Sequence, residues 1–243
     1  MIMGKKLLVI FLMSLPVLGF SQKLEADNYE TEFIWGVNKN TAGGLIGGVV
    51  ARSSKRISDR MYQSYGIELM NVKHPAELRV TSYTGGQFIS RKLNYLYAIR
   101  LQYGRELVLF RKAPQQGVEI KALGAIGPSI GVVTPYYISY FESNSYDLAY
   151  APYEEFVAKN KSDNDIYSSG RIMQGIFESS FRIGANLKGG LSFELGSQKS
   201  HVTGFELGFL LDAYAGKVEL VNGADDKNFF PTAFITLFYG KRR

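Results

Sequence analysis

Residues 181 to 213 alternate with a period of two for longer than a soluble sheet requires. Ile183, Ala185, Leu187, Leu191, Phe193 and Leu195 are apolar, and Arg182, Asn186, Lys188, Ser192 and Glu194 between them are polar. After a polar turn at Gln198, Lys199, Ser200 and His201, the pattern resumes. Phe205, Leu207, Phe209, Leu211 and Ala213 alternate with Gly204, Glu206, Gly208 and Asp212. Successive side chains of a strand point to opposite faces, so this hairpin has one apolar face and one charged face. Charge turned inward and apolar side chains turned outward describe a membrane β-barrel.

The same alternation recurs along the chain and predicts an all-β, antiparallel, up-and-down transmembrane barrel of about eight strands. The expected strands are Glu32–Asn38, Gly44–Arg52, Tyr65–Lys73, one from Tyr95 to Phe110 through a bulge at Gly104–Arg105, Val118–Val132, the two of the hairpin, and Thr232–Tyr239. Ten strands result if Ile172–Phe177 or Val80–Phe88 also pairs. The sheet has to close, because an open edge in lipid leaves backbone groups unpaired at several kcal/mol each.

The start of the chain reads as an export signal over residues 1–21. Lys5 and Lys6 precede an apolar run from Leu7 to Phe20, and Gly19 and Ser21 are the small residues before a cut between Ser21 and Gln22. Removing 21 of 243 residues leaves 222, read as one barrel domain over 22–243, and lowers the formal charge from +6 to +4. There is no cysteine, which excludes thiol chemistry, disulfides and a lipid-modified N-terminal cysteine. Sixteen Tyr, sixteen Phe and 26 Gly suit interfacial girdles and close-packed, twisted strands. An exported chain with no recognition motif gives no reason to expect nucleic acid, despite its basic balance.

Loop lengths orient the barrel, since small barrels have short turns on the periplasmic side and longer loops outside. The outer loops are expected at 39–43, 74–94, 133–180 and 214–231, and the periplasmic turns at 53–64, 105–117 and 197–203. The long loop carries Glu142, Asp147, Glu154, Glu155, Asp163 and Asp165 against Lys159, Lys161 and Arg171. The turns carry Arg52, Lys55, Arg56, Arg60, Arg105, Arg111, Lys112 and Lys199, and the tail adds Lys241, Arg242 and Arg243. A basic periplasmic rim, centred on Lys55, Arg56, Arg60, Arg111 and Lys112, is expected to face anionic headgroups or a periplasmic partner.

By parity the lumen collects Glu32, Glu68, Arg100, Glu119, Lys121, Arg182, Lys188, Glu194, Glu206 and Asp212. An eight-stranded barrel is only wide enough for its own side chains, so these charges should pair and fill it. A narrow pore and an enzyme site are the competing uses of such a face. No catalytic residue, metal site or cofactor is expected. His74 has neither cysteine nor a second nearby histidine to complete a metal site. Asp163-Asn164-Asp165 lacks the remaining ligands of a calcium loop.

The whole mature chain resembles the small bacterial outer-membrane β-barrel proteins. The resemblance rests on the signal ending Gly19-Phe20-Ser21-Gln22, the alternating strands, and a last strand ending on the aromatic pair Phe238–Tyr239. The segment Tyr103 to Pro114 is similar to uncharacterised barrels of this kind. The resemblance implies contact with outer-membrane lipid and a structural, adhesive or assembly role. Its alternatives are a porin-like small-solute channel and an accessory barrel of a secretion or gliding machine that docks periplasmic or outer-membrane proteins. Barrels of this kind that modify lipid A use histidine with serine and an acid. Here His201, Thr203 and Glu206 are the only local echo, with Thr in place of Ser. Fold alone leaves the choice among these roles open.

Overall fold

A computed structural model describes residues 29–112, 117–142, 147–171, 174–195 and 200–243. The expected signal at 1–21 and the turn residues Gln198 and Lys199 lie outside the described residues. Eight antiparallel strands close into a ring: β1 (Thr31–Asn40), β2 (Gly44–Ser58), β3 (Met61–Val72), β6 (Asn94–Phe110), β7 (Glu119–Pro135), β11 (Ser180–Leu195), β12 (His201–Val218) and β13 (Lys227–Arg242). Each strand pairs with the next in the ring, and β13 closes on β1.

The register fixes the shape of this ring. From Lys241 a single row of paired residues runs through Phe33, Ser53, Tyr65, Tyr103, Ile126, Leu187 and Leu211 to Pro231. One circuit thus returns to β13 ten residues nearer the outer end, a shear of ten. With about 3.3 Å per residue and about 4.8 Å between strands, this tilts the strands by roughly 40°. At that tilt roughly 9–11 residues cross a bilayer. β6 and β7, at 17 residues each, therefore project well beyond it.

Side chains sort by parity around the ring. Trp35, Ile67, Leu101, Ile126, Leu187, Phe209 and Leu237 face outward and are 42–75% exposed. The residues between them face the lumen and are largely buried. Toward the turn end, Trp35 meets Tyr239 edge-on at 6.2 Å and Tyr65 meets Tyr103 at 5.4 Å, as expected of an interfacial girdle. Such an apolar exterior is stable only in lipid, so the ring is a membrane-spanning barrel.

Several boundaries differ from the sequence reading. The inner turn expected at 53–64 shrinks to two residues, because β2 runs to Ser58 and β3 begins at Met61. The parity of Val50, Arg52 and Ser54 continues past the point where Gly44, Gly47 and Gly48 obscure it. Pairing is regular across Gly104–Arg105, and the bulge lies between Val108 and Phe110 instead. The tail is no tail: β13 continues to Arg242. A ten-strand ring is excluded. Residues 78–81 and 87–90 form a separate hairpin, β4 (Leu78–Thr81) and β5 (Gln87–Ser90), and Ile176–Glu178 is a single 3-10 turn.

The largest addition is the long outer loop, which is folded. It holds β8 (Tyr137–Phe141), β9 (Leu148–Pro152), α1 (Tyr153–Ala158) and β10 (Ile166–Ser169), with β8 at the centre of a three-stranded sheet. Phe88, Leu93, Tyr136, Ile138, Tyr140, Tyr153, Phe156 and Ile166 form its apolar core, fed from both outer loops. This cap stands on the projecting ends of β6 and β7.

Leu187 faces outward near mid-height of the belt and is 56% exposed. Leu187→Arg should lower the unfolding free energy of the bilayer-inserted protein by about 2–4 kcal/mol. Denaturant unfolding in vesicles reads the difference, and Leu187→Ala should cost far less.

Candidate functional site

Buried acids and bases run the length of the lumen as one alternating ladder. At its outer end Asp212 accepts from Arg100, with Nη2 to Oδ2 at 2.5 Å and Nε to Oδ1 at 3.0 Å. Arg100 also reaches Glu68 at 3.2 Å. Glu68 accepts from Lys188 at 2.5 Å, and Lys188 lies 3.6 Å from Glu206. Glu206 pairs with Arg52, which lies 3.0 Å from Glu106. Lys121 links Glu106 at 3.9 Å to Glu32 at 3.2 Å and Glu119 at 3.6 Å. Arg242 joins Glu32 at 2.7 Å to Glu119 at 3.4 Å and to Glu194, which also pairs with Lys112.

Neutral side chains add hydrogen bonds to part of the ladder, while Glu106 Oε2 and Glu206 Oε2 face only the more distant Lys121 and Lys188 ammonium groups. Ser54 Oγ donates to Glu106 at 2.7 Å and Ser129 Oγ to Asp212 at 3.3 Å. Asn186 donates to Ser129 Oγ at 3.0 Å and accepts from Gln102 at 3.1 Å. Buried charges are tolerated only with such pairing, since each ion otherwise keeps a desolvation cost of several kcal/mol. Glu206 and Asp212 are 0% exposed, so little water remains to share the work.

An apolar or aromatic cluster lies at each end of the ladder. On the outer side Met70, Val72, Leu96, Val133, Tyr214 and Phe230 pack into an apolar layer with Leu220 and Val221 of the β12–β13 loop. At the turn end Tyr29 stacks on Tyr62 at 4.8 Å, beside Val108. The Arg242 guanidinium sits 3.8 Å from the Tyr29 ring centroid, and the Tyr29 hydroxyl points to Glu119.

Of the expected lumen residues, Glu32, Glu68, Arg100, Glu119, Lys121, Lys188, Glu194, Glu206 and Asp212 meet in this ladder. Arg182 does not: it is only half-buried near the outer end of β11, and its guanidinium donates to the Phe181 carbonyl. Four further members lie beyond the expected lumen set. Arg52 and Glu106 lie on strands toward their periplasmic ends. Arg242 lies on the extension of β13, and Lys112 reaches in from the β6–β7 turn. Six expected acids against four bases thus become seven against six: Glu106 adds an acid, Arg52, Arg242 and Lys112 add three bases, and Arg182 drops out. The signal was available, since Arg52 continues the parity of Val50, and Arg242 that of Phe238 and Gly240.

The remaining rim residues separate. Lys55, Arg60 and Arg111 are exposed, with Arg111 donating to the Asp59 carbonyl, and Arg56 is half-buried. Three acids of the outer loop bond within the cap, while Glu142, Asp147, Glu154 and Glu155 are exposed. Asp163 accepts from Tyr153 Oη at 2.9 Å and Ser90 Oγ at 2.6 Å. Asp165 caps Ser162 N–H at 3.1 Å, and Glu178 accepts from Tyr137 Oη at 2.8 Å. The 163–165 carboxylates are therefore engaged within the fold. No group of metal-ligating side chains occurs among the described residues.

The histidines are placed by the same parity. His201 and Thr203 face outward, with His201 5.9 Å from the Tyr239 ring, while Glu206 faces the lumen. Opposite faces of one strand cannot assemble a nucleophile, base and acid. His74 is buried at the outer end of β3, where Nδ1 accepts from the Ala76 N–H at 3.1 Å. The following turn returns Glu77 to the His74 N–H at 3.1 Å, and Glu77 also takes the fully buried Lys92 at 2.5 Å. Burial first, and Lys227 second, hold the His74 imidazole below its ordinary pKa, against the pull of Glu77 and Asp225.

Removing one partner of the most buried pair should be costly. Asp212→Ala leaves Arg100 without its bidentate partner and should destabilise the barrel by about 3–5 kcal/mol, measured by urea unfolding in vesicles. His74 gives a pH dependence. Its folded pKa lies below the unfolded value of 6.5, so the unfolded form binds more protons there. The stability it contributes is full above pH 6.5 and declines as pH falls through and below that value. Protonation at Nδ1 also takes the acceptor from Ala76. Protease nicking of the 73–93 segment should therefore rise on acidification, and His74→Asn should blunt that rise.

No family model matches the chain, and no curated protein matches it. Among solved structures it is similar to Ail, the attachment invasion locus protein of Yersinia pestis. The identity is 9% and the TM-score 0.43, over 89% of this chain and 99% of that one. It is also similar to the outer membrane protein OprG from Pseudomonas aeruginosa (10% identity, TM-score 0.42, 90% and 99% covered). A third is Neisserial surface protein A (9% identity, TM-score 0.37, 88% and 97% covered). The ring of eight strands, apolar outside and charged within, is by its own geometry the architecture of a small bacterial outer-membrane β-barrel.

Proposed function

We propose that this chain is a non-enzymatic, non-conducting barrel of the bacterial outer membrane that holds a folded cap on the outer side, with a structural, adhesive or assembly role. The observation that carries this reading is the ion ladder between its two end clusters. An aqueous path would have to break charge pairs along the whole lumen and displace the apolar layer around Tyr214 and Phe230. The cap supports the outward role. It has its own core, and it presents Tyr83, Tyr150 and Phe177, which are 89%, 44% and 101% exposed. Exposed aromatics of this kind are enriched where proteins meet partners. Export by cleavage after Ser21 belongs to the same reading, and the N-terminus of the membrane-inserted protein should be Gln22.

Planar-bilayer recording tests the reading. The purified, folded protein should give no steady single-channel steps across ordinary salt and voltage ranges. Reproducible steps of constant amplitude would support a porin-like channel instead.

A further inference from the structure

The lipid-facing wall carries an uncompensated pair of cations beside an open trough, and both fall on one register row. Lys55 of β2 pairs with Gln63 of β3, Gln63 with Arg105 of β6, and Arg105 with Gly124 of β7. The row continues to Gly189 of β11 and Phe209 of β12. All six residues have outward parity. Lys55 and Arg105 are exposed, and neither pairs with a carboxylate among the described residues. Adjacent strands lie about 4.8 Å apart, so the two cations flank Gln63 with backbones about 10 Å from each other. Long side chains close that gap around one phosphate-sized anion. Gln63 Nε2 donates to Tyr65 Oη at 2.5 Å, and the Arg105 guanidinium lies 5.7 Å from the Tyr103 ring centroid.

Arg105 is the informative member. It lies on the lipid side of the wall, level with the girdle of Trp35 and Tyr239, with Leu107 and Leu109 exposed on its periplasmic side. An arginine on the lipid face is costly unless its charge is met. In that environment the available counterion is a lipid phosphate. Beyond it the wall opens: a Cβ built on Gly124 or Gly189 meets nothing within 4 Å. Phe209, 75% exposed, stands on the far side of this gap. Because the ring has a shear of ten, the row climbs toward the outer end as it passes from β2 to β12. The trough therefore lies deeper in the bilayer than the cations, as an acyl chain lies deeper than its headgroup.

We infer that this row is a binding site for an anionic phospholipid of the periplasmic leaflet, its phosphate between Lys55 and Arg105 and an acyl chain over Gly124 and Gly189. The site goes beyond the proposed role of the cap and depends only on the ring spanning a membrane, which heat-modifiable gel mobility reports separately. Charge complementarity favours phosphatidylglycerol over phosphatidylcholine, and the trough favours an intact lipid over a free headgroup.

Native mass spectrometry of the full chain, folded in vesicles of mixed phosphatidylglycerol and phosphatidylcholine and released into mild detergent, tests the site. The protein should retain phosphatidylglycerol preferentially. Lys55→Gln and Arg105→Gln should each reduce that preference about fivefold, the weight of one basic residue at a membrane surface. Gly189→Leu, placed where there is open space, should lower retention of both lipids while leaving the preference in place. Equal retention of the two lipids by the unaltered protein would overturn the site. So would an unchanged preference in the Lys55→Gln/Arg105→Gln double variant, provided its heat-modifiable mobility shows a folded ring. Unchanged retention in Gly189→Leu would overturn the acyl-chain placement.

Discussion

The ion ladder from Asp212 to Lys112 is the constraint on which the rest of the barrel depends. Its members come from β1, β2, β3, β6, β7, β11, β12 and β13, so every strand of the ring contributes a charge. A slip of one residue in any pairing would turn that strand's charges into lipid and its apolar side chains into the lumen. The ladder therefore sets register as well as filling space. Several of its links run between strands that are not neighbours, such as Glu68 on β3 to Lys188 on β11 and Glu32 on β1 to Lys121 on β7. Such contacts brace the ring across its diameter, which backbone pairing alone does not do.

Pairing of this kind does not by itself make a protein more stable than an apolar filling would. In a bilayer the alternatives are narrower. An apolar lumen would erase the difference between the two faces of each strand, and with it the information that sets register. Charge inside and hydrocarbon outside keep the faces distinct, and an apolar or aromatic cluster stands at each end of the paired charges. Tyr29 and Tyr62 at one end and the Tyr214–Phe230 layer at the other belong to the same design as the charges between them.

Alternation made most of the ring legible in the sequence, since period-two patterning depends only on which side of a strand faces lipid. It failed where a residue's role depended on strand length. Arg52 and Arg242 read as turn or tail charges because Gly44, Gly47 and Gly48 blur the parity of β2 and because a basic terminus looks solvated, and Glu106 escapes because the expected bulge at Gly104–Arg105 breaks the alternation just before it. Lys112 sits in a true turn, and only the three-dimensional proximity of Glu194 draws it inward. The cap was not legible for a different reason. Its strands are four or five residues long and its core draws Phe88 and Leu93 from one loop and Tyr136 to Ile166 from another, a pairing no local pattern reveals. Two of the acids of the long loop help tie it down, Asp163 to Tyr153 and Ser90 and Asp165 to the Ser162 N–H.

The absence of cysteine from the chain makes the central claim directly measurable. Single cysteines placed at Asn186, Ser192 and Thr236 in the lumen, at Leu187 on the lipid face and at Tyr83 on the cap divide the surface into three environments. In the folded, vesicle-inserted protein a small charged thiol reagent should label the Tyr83 position rapidly. Positions 186, 192 and 236 should stay unlabelled until the protein is unfolded, and position 187 should react only with a lipid-soluble reagent. Rapid labelling at 186, 192 or 236 by the charged reagent would show a wet, open lumen and contradict the proposed non-conducting barrel.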